Sequence, residues 1–158
     1  MIIEVSGHRS PKFKAFLTTA VESYCSRIMS KKLLDSIHLK VLLKKKLDYP
    51  QMQGYCYYEG YEDGIREFEI AIKKNISVRE LLIYVAHECV HMKQLASGEL
   101  KEGVRKCRWQ GQVIDEHKLD YWDLPWEIEA YGREKGLYHR FIVDYKKTNK
   151  VKLDTIVR

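Results

Sequence analysis

One five-residue run restricts this chain more than any other. His87-Glu88-Cys89-Val90-His91 lies inside a segment that opens with Ser77-Val78-Arg79-Glu80, where a serine hydroxyl and a glutamate carboxylate can each satisfy a free backbone donor at a helix start. The segment closes at Ser97-Gly98. Leu81, Leu82, Val85, Cys89 and Met92 recur along one side of it, and Tyr84, His87, Glu88, His91 and Leu95 along another. A helix this apolar is expected to be buried. Histidines four apart sit one above the other with Cβ atoms about 6 Å apart, so both imidazoles can reach a single ion at about 2.0 Å. Glu88 lies about 100° round the helix from His87, better placed to hold a water than to share the ion. From the chain's own histidine and glutamate frequencies the pattern arises by chance in roughly one such chain in fifty, so the uncharged neighbours Val85, Ala86, Cys89, Val90 and Met92 carry much of its weight.

The elements around this helix follow from pattern. Ser10-Pro11 supplies an N-cap and a first-turn proline, after which Phe13, Phe16, Leu17, Ala20, Val21, Tyr24 and Ile28 keep helical spacing. Ile37, Leu39, Val41 and Leu43 alternate with their neighbours as in a strand. The tyrosine-rich run Met52 to Gly60, the turn Glu62-Asp63-Gly64 and the alternating run Arg66 to Lys73 form a β-hairpin, with Arg66 to Lys73 expected at the sheet edge because Glu67, Glu69 and Lys73 face away from Phe68, Ile70 and Ile72. Lys106 to Val113, around Trp109-Gln110-Gly111, makes a second short hairpin. Asp123-Leu124-Pro125 opens a further helix whose buried side takes Tyr131, Leu137, Tyr138 and Phe141. The order predicts a single α+β domain over residues 1–158, in which a small antiparallel or mixed sheet packs against an N-terminal helix, the histidine helix and a C-terminal helix. A basic tail is expected from about residue 146.

The spacing points to zinc, which withdraws electron density from water and brings its pKa to about 7, so that a neighbouring carboxylate can take the proton. With His87 and His91 as ligands and Glu88 as general base, the arrangement suits amide hydrolysis by a metallopeptidase. A catalytic zinc needs a third protein ligand. Gln94 and Ser97 occupy positions where the extended metzincin pattern needs glycine and histidine, so the ligand must come from elsewhere. Glu127 is the first choice, since a carboxylate in the first turn of a rigidly started helix can be aimed at a helix packed beside it. Its presence there also complements the helix dipole, whatever it binds. Glu129 and His117 are the alternatives.

Charge and cysteines bound the rest. The net charge of +6 comes from 28 basic against 22 acidic residues, with basic clusters at Lys44 to Lys46, Lys101 to Arg108 and Lys146 to Arg158. Such clusters make nucleic acid a candidate partner beside a protein or peptide substrate. In that second view the protein is a basic, nucleic-acid-associated module whose zinc is structural or inactive. No stretch is long enough to span a bilayer, and the N-terminus lacks the continuous apolar core of a signal peptide, so a cytoplasmic location without membrane contact is expected. Cys25, Cys56, Cys89 and Cys107 are widely separated and form no Cys-x-x-Cys pair, which suits a reducing compartment.

His87-Glu88-x-x-His91 followed by Glu127-x-x-Ala130 resembles the two-part zinc signature of the zincin metallopeptidases, closest to minimal gluzincin-like domains. Trp109-Gln110-Gly111 together with Tyr121-Trp122-Asp123-Leu124-Pro125-Trp126-Glu127-Ile128-Glu129-Ala130 is similar to small metallopeptidase-like proteins encoded by bacteriophages; SprT-like proteins are more distant relatives. The resemblance covers roughly residues 52 to 135. It implies Glu127 as the third zinc ligand, a host cytoplasm as the site of action, and a sheet edge, here Arg66 to Lys73, that holds an extended peptide by strand addition. Many gluzincins carry an acidic residue four positions after the third ligand to orient a histidine, whereas this chain has Tyr131. Tyr131 or another residue therefore takes that supporting part, and Tyr131 or Tyr138 is also a candidate to stabilise the oxyanion.

Overall fold

The computed structural model describes residues 1–8, 10–103 and 106–149. Among them the chain forms β1 (Ile2–Ser6), α1 (Pro11–Ile28), α2 (Lys31–Leu34), β2 (Ile37–Lys44), β3 (Gly54–Glu62), β4 (Ile65–Lys73), α3 (Val78–Ser97), β5 (Leu100–Lys101), β6 (Cys107–Trp109), β7 (Gln112–Ile114) and α4 (Pro125–Asn149). Two 3-10 turns, Glu116–Lys118 and Tyr121–Asp123, precede α4. The fold is α+β. Its main sheet has the order β1-β2-β4-β3 and is mixed: β1, β2 and β4 run parallel, and β3 returns antiparallel to β4.

Local chemistry starts each helix. The Ser10 hydroxyl accepts from the Phe13 amide with Pro11 in the first turn, and Ser77 and Glu80 complete a reciprocal capping box at α3. Gly98 ends α3 in the left-handed region at φ 74°, where a side chain would be strained. One face of the sheet is covered by α1 and α3, and α4 packs across both helices. Phe16, Leu17, Val21, Tyr24, Leu39, Ile70, Leu82, Val85 and Phe141 all belong to this one core. A smaller cluster of Leu100, Cys107, Leu124 and Trp126 ties the β5-β6-β7 ribbon to the start of α4.

Three expectations from sequence need correction. The edge strand beside the hairpin turn is β3, and Arg66 to Lys73 lies inside the sheet between β2 and β3. Its alternating charges mark an uncovered sheet face rather than an edge: Lys44 Nζ sits 3.3 Å from Glu69, and His38 Nδ1 lies 3.8 Å from Glu67 on the neighbouring strand. β1 has no counterpart in the expected pattern, because five residues barely establish an alternation and Ile2, though apolar, is 60% exposed. Lys146 and Lys147, expected to open a tail, fall in the last turn of α4, where cations complement the helix dipole; the tail from residue 150 lies outside the described residues. Among the described residues no helix is long and apolar enough to cross a membrane.

Candidate metal centre

The helix α3 turns His87, Glu88 and His91 away from the core into a cleft of about 620 Å³ that runs between β3 on one side and α4 on the other. The Nε2 atoms of His87 and His91 are 3.0 Å apart. From the first turn of α4, Glu127 places Oε2 3.4 Å from His87 Nε2 and Oε1 3.4 Å from His91 Nε2. Two donors held at about 2.05 Å by one tetrahedral zinc stand roughly 3.3 Å apart, so these separations fit a shared ion. Among the described residues this is the group of three whose ligand atoms all converge within 4.8 Å.

What stands behind the imidazoles fixes which nitrogen is free. Gln94, fully buried, puts its Oε1 2.9 Å from His91 Nδ1, while its Nε2 donates to the Trp126 carbonyl at 2.9 Å and to Glu129 Oε2 at 3.0 Å. A carbonyl and a carboxylate can only accept, so the amide nitrogen must face them and the amide oxygen must face His91. Nδ1 of His91 then carries the hydrogen, and its Nε2 lone pair points at the centre. Glu134 does the same for His87, with Oε2 3.0 Å from Nδ1. The Tyr121 hydroxyl donates to Glu127 Oε2 at 2.7 Å and holds that carboxylate in place.

Charge follows geometry. Burial opposes protonation of His87, yet its bonds to Glu127 and Glu134 outweigh this and push its pKa up to about 9. His91 is raised by the same contest between burial and Glu127. Burial also opposes ionisation of Glu127, but the two imidazoles and Tyr121 hold it well below the usual carboxylate range. Without metal both imidazoles thus favour protonation beside the ionised Glu127, and an entering cation would have to displace those protons. Glu88 is pushed up by burial, with His91 and His87 pulling it partly back. The backbone of β3 passes close over it: a Cβ at Gly54 would lie 3.1 Å from Glu88 Oε1 and 2.6 Å from Ile72 Cδ1.

His87, Glu88, His91 and Glu127 therefore line one cleft. Glu129 is directed elsewhere, held by Lys93 at 3.1 Å and Arg133 at 2.8 Å as well as by Gln94. His117 is exposed on the 3-10 turn Glu116–Lys118, apart from the cleft lining. Tyr131 packs its ring 4.6 Å from that of His87, edge to face, whereas Tyr138 contributes to the main core. Gln94, Glu134 and Tyr121 are the residues the sequence did not disclose. Glu134 carried a faint signal, since seven residues after Glu127 is nearly two full helical turns on the same face. No protein-family model, curated protein or solved structure matches the chain.

Proposed function

We propose that this protein is a zinc-dependent peptidase in which His87, His91 and Glu127 hold the ion and Glu88 is the general base. The observation that carries this reading is the pair of acceptors, Glu134 and Gln94, that engage Nδ1 of each histidine and leave both Nε2 atoms facing Glu127. Two merely structural histidines have no need of such matched orientation. Bound there, zinc would supply Lewis acidity, acidifying water and polarising a carbonyl.

Glu88 takes a proton from the water that attacks the amide carbon and passes it to the departing nitrogen, so that C–N cleavage yields a carboxylic acid and an amine. Its buried setting raises its basicity for that task. The edge of β3 begins at Gly54 beside Glu88 and offers unpaired backbone groups to an extended chain, which supports a polypeptide substrate. Unpaired cysteines, three of them buried, suit action in a reducing cytoplasm. Zinc-loaded wild-type protein is expected to cleave denatured casein, and Glu88→Gln to bind zinc equally while kcat falls about 10²- to 10⁴-fold. Equal cleavage by the two proteins contradicts the assignment.

A second reading has one specific observation in its favour. Lys101 and Arg108 face each other as cross-strand partners and, with Lys106 against the single acidic residue Glu102, line a separate cavity of about 380 Å³. Like charges directly opposite are unfavourable unless something anionic joins them. In that reading the protein binds nucleic acid, and its salt-sensitive affinity for single-stranded DNA persists after chelation.

A further inference from the structure

Tyr121 and Tyr131 line the α4 side of the cleft, and Trp122, outside the lining, packs against both and extends them into an exposed aromatic ledge at the rim. Trp122 is 65% exposed, Tyr121 46% and Tyr131 39%. Their ring centroids are 5.0 Å apart for Trp122 and Tyr131, 5.3 Å for Tyr121 and Trp122, and 6.4 Å for Tyr121 and Tyr131. None of the three belongs to a buried cluster, so core packing does not account for them. Contiguous exposed rings forgo the stabilisation of burial, and such patches on a folded chain mark binding surfaces.

The ledge is fixed relative to the reacting atoms. Asp120 accepts from the Trp122 amide at 3.1 Å and caps the turn that presents it. The hydroxyl of Tyr121 is bonded to Glu127, and the ring of Tyr131 rests on His87. Across the cleft, Tyr49 and Tyr57 supply half-exposed rings from the β3 side. Among the described residues no lysine or arginine lines the cleft, while Glu88, Glu102 and Glu127 do, so apart from the ion itself an acidic side chain would find no countercharge there.

We propose that Tyr121, Trp122 and Tyr131 form a specificity subsite for an aromatic side chain of an extended polypeptide, at the α4 rim of the cleft. This rests on the peptidase reading and narrows its substrate to segments with aromatic residues rather than acidic ones. Stacking on Trp122 discriminates by ring area, with the two tyrosines as its floor.

Binding to zinc-loaded Glu88→Gln protein tests this without turnover. Two N-acetylated, C-amidated octapeptides, identical except for Phe or Ala at a central position, are titrated calorimetrically. The Phe peptide is expected to bind at least tenfold more tightly; adding Trp122→Ala narrows the ratio to under twofold, and Trp122→Phe keeps most of it. Equal binding of both peptides, or a ratio indifferent to Trp122→Ala, overturns the proposal. So does sedimentation showing a dimer that Trp122→Ala dissolves, since a second copy would then cover the ledge. A Phe preference in a protein whose wild type cleaves neither peptide leaves the subsite standing and removes the peptidase; cleavage without preference does the reverse.

Discussion

At the scale of single residues, each imidazole of the candidate centre has one nitrogen engaged by an oxygen atom that can only accept. Glu134 stands behind His87, and Gln94, itself oriented by Glu129 and the Trp126 carbonyl, stands behind His91. Removing such a partner frees the ring to rotate or change tautomer, and metal affinity characteristically falls about 10- to 100-fold. Glu134→Ala is expected to weaken zinc binding by that factor in competition with a chelating dye. Glu134→Gln should retain most of the affinity, because its amide oxygen still accepts from Nδ1; an equal loss in both variants would mean that Glu134 acts through its charge instead. That His87, Glu88, His91 and Glu127 could converge was legible in the sequence because helical spacing and helix starts are local properties. Glu134 was not, since among Gly132, Arg133, Lys135 and Gly136 it reads as part of a solvated run and only the packing of α4 on α3 gives it a partner.

At the scale of elements, the position of β3 decides how much room Glu88, the proposed general base, has. Gly54 opens that strand where a methyl group would press on both the Ile72 side chain and the Glu88 carboxylate. Gly54→Ala is expected to lower kcat/KM about ten- to a hundredfold by displacing Glu88, with zinc content unchanged. Full activity in that variant would place Glu88 elsewhere during turnover. The capped starts of α1 and α3, the proline start of α4 and the β3-β4 hairpin were readable from Ser10-Pro11, Ser77-x-x-Glu80, Leu124-Pro125 and Asp63-Gly64. Strand order was not. Glu67 and Glu69 could equally mark an edge or an open face, and their pairing with Lys40 and Lys44 on β2 is a tertiary fact.

At the scale of the whole molecule, the candidate centre lies at the junction of α3 and α4, beside a continuous core of apolar side chains from α1, α3, α4 and the main sheet. Chelation is therefore expected to leave the far-ultraviolet dichroism largely intact while lowering the melting temperature. The stability lost would be about 4 kcal/mol relative to protein held at a thousand times the zinc dissociation constant. Complete unfolding on chelation would instead mark the ion as a structural one. The most direct test of the centre is X-ray absorption at the zinc edge of protein loaded with one equivalent of metal. Only nitrogen and oxygen neighbours at about 2.0–2.2 Å are predicted, with the outer-shell signature of two imidazoles that drops to one in His91→Ala. Sulfur scattering at about 2.3 Å, from any of the four cysteines, would contradict the assignment of His87, His91 and Glu127.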